Sequence, residues 1–255
     1  MNPQVFSTVQ AGERTDPAGH AIANQILLAL PDEEFALIRP QLEPIELPRR
    51  MSLHDPGCPL EFLCFPNRGL ISVVVITKDG RTVEAGLIGH EGCAGTALAV
   101  NIKSSPLLHV VQIDGEGIRL PAADLQQLLP LAPKFRLALS RFAVIQGIQT
   151  AQTAACNRLH DVEQRLARWL LMAQDRVESG WLGLTHDFLA TMLGTDRPTV
   201  SVAASHLQER KAIEYVPGAV RILNHHTLEQ SACECYDVIQ QFNGELGIKQ
   251  QAPTV

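Results

Sequence analysis

Hydrophobic and polar positions follow two different patterns along the chain. From Ile45 to Leu120, short alternating apolar segments are separated by turn pairs such as Pro56-Gly57 and Asp79-Gly80, which is typical of an antiparallel β-roll or barrel. After Pro121, apolar residues recur at helical spacing instead. The pattern predicts an α+β fold in which strands come first and helices follow. The clearest strands are predicted at residues 70–77, 81–88, 107–114 and 117–121.

The spacing of a helix-turn-helix motif is found in the carboxy-terminal third. Thr185 offers a hydroxyl N-cap for a helix over residues 186–193. Gly194 follows directly, and glycine allows the positive φ that a sharp turn requires. A second helix is predicted to begin immediately afterwards, with either Asp196 or Arg197 as its N-cap, and to run to about residue 210.

The second of these helices has the properties of a DNA-reading helix. If Val200, Ala203 and Leu207 are buried, its opposite face is free to enter a major groove. Arg197 is the first candidate for base contact, since a bidentate arginine–guanine pair gives roughly 1–3 kcal/mol of discrimination. The residues that follow alternate around Pro217-Gly218 and predict a β-hairpin, the wing of a winged helix-turn-helix. The candidate DNA-contacting residues are Thr185, His186, Asp196, Arg197, Pro198, Thr199, Ser201, Val202 and Ser205.

The two ends of the chain carry weaker patterns. Residues 1–20 are polar, and we predict that they are disordered. Short helices are predicted at 22–30 and 32–38, and a last helix from about Leu228 to Phe242 precedes a loose tail. We therefore expect a disordered segment, a β-rich domain, a long helix, a winged helix-turn-helix domain, and a closing helix with its tail. Their predicted ranges are 1–20, 21–130, 131–158, 159–226 and 227–255.

The predicted long helix is apolar on two faces. Phe135, Leu139 and Phe142 lie on the face that we expect to pack on the β-rich domain. The other face is covered either within the same domain or by the same helix of a second copy, and periodicity alone leaves both alternatives open. The dimer is favoured because helix-turn-helix proteins commonly act as symmetric dimers. Asp161 and Gln164 then resemble a capping box that opens the next helix. The predicted dimer face comprises Leu137, Val144, Gly147, Ile148, Ala151 and Ala155.

Composition and charge limit the classes of protein to which the chain can belong. The 255 residues, 45% hydrophobic and 19% charged, suit two medium-sized globular domains. The net charge of −6 argues against a protein that coats nucleic acid without sequence preference. It is compatible with a protein that contacts DNA through a small face. The first twenty residues lack the apolar core of an export signal, and no apolar segment is long enough to cross a bilayer. We therefore expect a cytoplasmic protein without membrane contact.

The cysteines are spread along the chain without a CxxC pair, so neither structural zinc nor a disulfide framework is expected. Cys233 and Cys235 are predicted to lie two positions apart on the last helix, and hence on different faces, as packing residues. His90, Glu91 and Cys93 are interpreted as part of a polar turn between strands. We therefore predict no metal site and expect no cofactor. The six cysteines are Cys58, Cys64, Cys93, Cys156, Cys233 and Cys235.

The order of these parts resembles the Crp/Fnr family of bacterial transcription regulators. The most specific segments are QRLARWLL at 164–171 and LTHDFLATMLGTDRPTVSVAASHLQ at 184–208, followed by the predicted wing. The resemblance covers about residues 20–226. It implies an amino-terminal antiparallel β-roll of the cyclic-nucleotide-binding type, a long dimerisation helix and a carboxy-terminal winged helix-turn-helix.

The resemblance also implies roles for individual residues. It places the family's base-contacting arginine on Arg197 and phosphate contacts on Asp196 and Thr199, with Asp196 acting through its backbone N–H because its carboxylate repels phosphate. Pro198 and Val202 stand where the family often has a glutamate and a second arginine. The operator sequence is therefore expected to differ from the family's best-known sites.

The effector pocket departs further from the family pattern. The best alignment sets Gly95 and Thr96 against the glycine–glutamate pair that holds a ribose, and Lys103, Ser104 and Ser105 against the arginine–serine pair that holds a phosphate. A buried phosphate would lose its strongest charge-assisted hydrogen bonds without the guanidinium. A cyclic nucleotide is therefore a doubtful ligand for this candidate pocket.

Three classes of function follow from these observations. The leading hypothesis is a homodimeric, sequence-specific regulator that binds an inverted repeat in double-stranded DNA, with RNA polymerase as a further partner and an unidentified signal sensed by the β-rich domain. The alternative is a ligand-responsive protein-interaction module that does not bind DNA. An enzyme built on a cupin-like roll is not expected, because the nine histidines are scattered.

Overall fold

The computed structural model of the chain describes residues 9–177 and 180–244. Its amino-terminal domain contains two antiparallel sheets, of order β1-β7-β3 and β2-β6-β4-β5. The predicted strands at 70–77, 81–88, 107–114 and 117–121 all form, within two residues of their predicted ends. The strands are β1 Glu43–Leu47, β2 Ser52–His54, β3 Phe62–Pro66, β4 Leu70–Ile76, β5 Thr82–Ile88, β6 Leu108–Ile113 and β7 Gly115–Pro121.

The segment before the sheets is more ordered than predicted. Two helices, α1 Gln25–Leu28 and α2 Asp32–Ile38, lead into the sheets, and α1 is shorter than the helix expected at 22–30. Residues 9–20 are anchored to them, so the prediction of disorder is wrong there. The Arg14 side chain, whose residue is 6% exposed, donates hydrogen bonds of 2.7 Å to the carbonyls of Leu27 and Leu30. Hydrogen bonds over this distance along the chain cannot be predicted from the composition of residues 9–20. Residues 1–8 lie outside the described residues.

The rest of the described chain is mainly helical. The capping box of Asp161 and Gln164 forms as predicted and opens α5. The third sheet, of order β8-β10-β9, contains the predicted wing and adds a short strand from the segment before α6. The elements are α3 Ala122–Leu128, α4 Pro133–Leu159, α5 Val162–Gln174, β8 Trp181–Leu182, α6 His186–Leu193, α7 Arg197–Glu209, β9 Ile213–Val216, β10 Ala219–Ile222, α8 His225–Ser231 and α9 Cys235–Gly244.

The single closing helix predicted from Leu228 to Phe242 is two helices. Asn224 caps α8 with its side chain, which accepts the backbone N–H of Thr227. The chain then becomes extended at Ala232 before α9 begins. The break brings Cys233 and Cys235 together beside the end of α4, a tertiary contact that helical periodicity does not reveal. The tail from residue 245 lies outside the described residues.

Two hydrophobic cores support the two halves of the molecule. In the first, Phe135, Leu139 and Phe142 of α4 pack with the amino-terminal sheets, as predicted. The second core joins α5, α6 and α7 and also includes Leu70 and Leu87 from the four-stranded sheet. The helix-turn-helix domain therefore packs against the β-rich domain of its own chain. Among the described residues, no helix has both the length and the hydropathy of a membrane span.

Candidate nucleic-acid interface

The helix-turn-helix is built by local hydrogen bonds that the sequence specifies. The Thr185 hydroxyl accepts the N–H of Phe188 at 3.2 Å and opens α6. Gly194 ends that helix with φ of 61°, in the left-handed region that favours glycine. The Asp196 carboxylate accepts the N–H of Thr199 at 2.9 Å and opens α7, so Asp196 and not Arg197 is the N-cap.

The face of α7 that points away from the core carries most of the residues predicted to contact DNA. The stripe of Val200, Ala203, Ala204 and Leu207 is buried, with at most 4% exposure. Val202 on the opposite side is 56% exposed, a high value for an aliphatic side chain. The other exposed members of the predicted set are Thr185, Asp196, Arg197, Pro198 and Ser205, and Thr199, Ser201 and His186 are partly exposed.

Arg197, the predicted base reader, is held by an acidic residue of the preceding helix. Its Nη1 lies 3.3 Å from Oδ2 of Asp187, and the two side chains are 65% and 68% exposed. An ion pair in such an exposed position contributes about 0–1 kcal/mol. A guanine edge or a phosphate can therefore displace Asp187 at little cost, and until then the pair fixes the guanidinium at the amino-terminal end of α7.

His186 and Ser201 connect the two helices and the wing. The Ser201 hydroxyl donates its proton to the Arg197 carbonyl at 3.0 Å, so Nδ1 of His186, 2.9 Å away, must donate to the Ser201 oxygen. The imidazole also stacks on the Tyr215 ring of the wing, with centroids 3.9 Å apart. Burial and the positive charge of Arg197 lower the pKa of His186, so the ring is neutral at pH 7. Tyr215 was not predicted, because its pairing depends on how the wing folds back.

The carboxy-terminal end of α7 is tied to the start of α5. Glu163 accepts from Nδ1 of His206 at 2.9 Å and lies 3.1 Å from Nη1 of Arg210. The acidic side chain partly neutralises the cationic end of α7.

The predicted dimer face of α4 is uncovered in the single chain. Leu137 and Val144 are 41% and 64% exposed, and a Cβ atom on Gly147 would have no neighbour within 4 Å among the described residues. Ile148 is half-buried, and Ala151 and Ala155 are exposed. Most of this face is therefore not covered by other residues of its own domain, which was the alternative to a dimer.

The residues of the predicted effector pocket fall in two separate segments. Gly95 and Thr96 open a 3₁₀ helix, and Gly95 has φ of 91°. Lys103 and Ser104 are exposed, and their loop is held by backbone bonds, with the Lys103 carbonyl accepting from Leu60 and the Ser105 carbonyl accepting from Gly57 at 2.7 Å. Lys103 is thus not placed as a buried phosphate ligand.

Two histidines near Gly95 were not predicted. A Cβ atom on Gly95 would lie 3.1 Å from Nε2 of His54, whose ring contacts that of His109 with centroids 5.2 Å apart. Burial lowers the pKa of His54 to about 4 and that of His109 to about 3, so both imidazoles are neutral. Without a ligand, these buried rings carry no positive charge.

Buried polar contacts connect the β-rich domain to α5 and to the residues that follow it. Trp169 donates its indole N–H to Glu84 of β5 at 2.7 Å, and Glu84 also accepts from Ser72 of β4. Burial is the main cause that raises the pKa of Glu84 to about 7. A second contact pairs Glu91, in the polar turn that the sequence predicted, with Arg176 at 2.7 Å. Burial alone would raise the pKa of Glu91, but the charge of Arg176 lowers it overall.

Four potential metal ligands meet where α4 ends. Ligand atoms of Cys156, His160, Cys233 and Cys235 all lie within 4.8 Å of one another. The expectation that Cys233 and Cys235 point to different helical faces is wrong, because Cys233 lies in the break before α9. The signal that could have revealed the site is a Cys-x₃-His pair on one helical face together with a Cys-x-Cys pair.

A β-roll domain joined by a long helix to a winged helix-turn-helix defines the class of this protein. Residues 164–231 match the family model of the Crp-like helix-turn-helix domain. The carboxy-terminal domain is therefore a Crp-like helix-turn-helix domain, in agreement with the resemblance that the sequence shows. No curated protein matches the chain.

Solved structures share the fold over most of the chain. FixK2 from Bradyrhizobium japonicum superposes with a TM-score of 0.65 at 15% identity, covering 75% of this chain and 98% of that chain. CLP from Xanthomonas campestris, a regulator described as responsive to c-di-GMP, gives 0.62 at 19% identity, covering 75% and 99%. A transcriptional regulator of the CRP family from Thermus thermophilus, TTHB099, gives 0.59 at 20% identity, covering 74% and 96%.

Proposed function

We propose that the protein is a cytoplasmic homodimer that binds an inverted-repeat DNA site with α7 in the major groove. The observation that carries this proposal is the composition of the uncovered face of α7. Arg197 stands at its amino-terminal end, where recognition helices contact base edges, and its guanidinium is restrained by an exposed ion pair of 3.3 Å. Val202, 56% exposed, can contact a thymine methyl group.

Four other predicted residues position this face. Thr185 and Asp196 use their side chains as helix N-caps, which leaves the N–H groups of the first two residues of α6, and that of Arg197 in α7, for a phosphate at these helix ends. His186 and Ser201 fix the orientation of α7 relative to α6 and the wing. We therefore assign direct base contact to Arg197 and Val202, and positioning roles to His186 and Ser201.

The dimer is supported by the spacing of the uncovered face of α4. Val144, Ile148, Ala151 and Ala155 are spaced by four, three and four residues, which is the a/d pattern of a two-helix coiled coil. Leu137 continues the pattern one heptad earlier. Two copies of α4 packed along this face would relate the two helix-turn-helix domains by a two-fold axis. An inverted-repeat DNA site has the same symmetry. RNA polymerase contact stays a prediction.

The test is selection of bound sequences from a random DNA pool by the full chain at near-physiological salt. We expect an enriched inverted repeat with half-sites about one helical turn, roughly 34 Å, apart. Arg197→Ala should weaken the selected site by roughly 1–3 kcal/mol, which is about 5- to 150-fold, and weaken random DNA far less.

Arg119→Ala is the matched control. Arg119 also forms an exposed ion pair, with Glu43 at 2.7 Å, but it lies on β7 in the other domain. Equal loss on specific and random DNA for Arg197→Ala would refute its base-reading role. No enrichment, with or without cell extract as a source of effector, would favour the protein-interaction alternative.

A further inference from the structure

We propose that Cys156, His160, Cys233 and Cys235 form a Cys₃His site for one thiophilic divalent cation, of which Zn²⁺ is the leading candidate. Tetrahedral sets of cysteine and histidine are typical of structural zinc sites. Metal binding at this cluster is independent of DNA binding, so its test succeeds or fails separately from the function proposed above.

The positions of the ligand atoms fit one metal ion. Sγ of Cys156 lies 3.5 Å from Sγ of Cys233, and Sγ of Cys235 lies 3.6 Å from Nδ1 of His160. In a tetrahedron with zinc–sulfur bonds of about 2.3 Å, neighbouring sulfur atoms are about 3.8 Å apart. Since no two of the four ligand atoms are separated by more than 4.8 Å, only small side-chain movements are needed for coordination.

Two elements present these ligands from opposite sides. Cys156 and His160 are one helical turn apart and share a face at the end of α4. Cys233 and Cys235 are brought to that face by the break between α8 and α9. All three cysteines are buried, at 0%, 4% and 1% exposure, and form a cluster of their own outside the two main cores. All four ligand atoms therefore lie close enough together to bind one ion.

The surroundings of the ligands also suit a metal. Nε2 of His160 lies 3.3 Å from the carboxylate of Glu234, an arrangement that leaves Nδ1 as the unprotonated ligand atom and is common around zinc-bound histidines. Gln152 donates an N–H to Sγ of Cys235 at 3.1 Å, which would stabilise a thiolate. Three thiolates around Zn²⁺ carry a net charge of −1, and the buried Arg165 and Arg168 of α5 both interact electrostatically with Cys156.

The same geometry separates this proposal from two other uses of cysteines. A disulfide between Cys156 and Cys233 would use two thiols and give no role to Cys235, His160 and Glu234. An iron–sulfur cluster distributes its ligands over several iron atoms and inorganic sulfides, and therefore needs more space than four atoms within 4.8 Å provide. A single ion uses all four ligands together with the contacts from Glu234 and Gln152.

The experiment measures metal in the full chain, purified under reducing conditions without chelator, by inductively coupled plasma mass spectrometry. We expect about one zinc ion per chain. Cys156→Ala should lose it, whereas Cys93→Ala should retain it, and both substitutions remove a thiol that is 0% exposed. Co²⁺ added to the metal-depleted wild-type chain should give tetrahedral d–d bands and thiolate-to-cobalt charge transfer.

A variant outside the ligand set distinguishes weakened metal binding from loss of metal through misfolding. The Glu234 side chain is 73% exposed, so Glu234→Gln should fold normally and still weaken zinc binding by about 10-fold or more. Less than one tenth of an equivalent of metal, absence of the cobalt bands, a Cys156–Cys233 disulfide in reduced preparations, or an iron–sulfur absorbance would each overturn the proposal. Unchanged zinc affinity in Glu234→Gln would overturn the outer-carboxylate assignment.

Discussion

Replacing Glu84 by glutamine tests how the β-rich domain is joined to the helix-turn-helix domain. The carboxyl group lies between Ser72 of β4 and Trp169 of α5, and burial raises its pKa to about 7. The folded chain therefore binds a proton there at pH values where the unfolded chain, with the ordinary pKa of about 4.3–4.5, does not. A glutamine can still accept the indole N–H, and it has no charge to bury.

The sign of the pH dependence follows from proton linkage. Because the folded pKa is raised, the contribution of Glu84 to stability is complete at low pH and disappears as the pH rises through about 7. Between pH 5.5 and 8 the wild-type chain should lose about 2 kcal/mol of unfolding free energy from this residue, at 1.36 kcal/mol per pKa unit. Glu84→Gln should not lose that amount.

The assay is urea unfolding followed by far-ultraviolet circular dichroism at pH 5.5, 7 and 8. With a slope of roughly 3 kcal/mol per molar urea, the wild-type midpoint should fall by about 0.7 M more than that of the variant over this range. Glu46→Gln, a substitution at an exposed strand residue, is the control and should follow the wild type. If wild type and Glu84→Gln change in parallel, Glu84 is ionised throughout and the desolvation reasoning is wrong.

Three further predictions concern the helix-turn-helix domain and the proposed dimer. Asp187→Asn removes the partner of Arg197 and one negative charge beside the DNA, so fluorescence anisotropy should show DNA binding about fivefold tighter, from roughly 1 kcal/mol; unchanged or weaker binding would contradict this. Gly194→Ala forces a Cβ atom into a left-handed conformation, 3.3 Å from Val83, and should cost about 1–2 kcal/mol of unfolding free energy in denaturant titrations. Val144→Glu should convert the dimer to a monomer in light scattering, whereas Ala143→Glu, on an exposed position outside the a/d pattern, should leave the dimer intact.

Features set by local hydrogen bonds could be predicted from the sequence. The capping box of Asp161 and Gln164, the N-cap at Thr185 and the turn at Gly194 all form as predicted, because each depends on residues within four positions of one another. The bounds of α6 follow from these signals. The choice of Asp196 as N-cap of α7 needed the structure, since two adjacent residues satisfied the same rule.

Contacts between distant residues could not be predicted in this way. Residues 9–20 are ordered because Arg14 donates to carbonyls 13 and 16 residues later, and nothing in their local composition signals this. The cysteine cluster joins Cys156 to Cys233 across 77 positions. Periodicity assigned Cys233 and Cys235 to one continuous helix, and the break that brings them together exists only in the folded chain.

Contacts of α5 with its surroundings orient the helix-turn-helix domain. At its start, His160 ends α4 and Asp161 caps α5, so the proposed metal site lies at the junction between the dimer helix and the reader. Trp169 of α5 and Arg176, two residues after its last residue, bond to buried carboxylates of the β-rich domain. Because α5 packs directly against α7 and α8, these contacts set the position of the recognition helix relative to the four-stranded sheet.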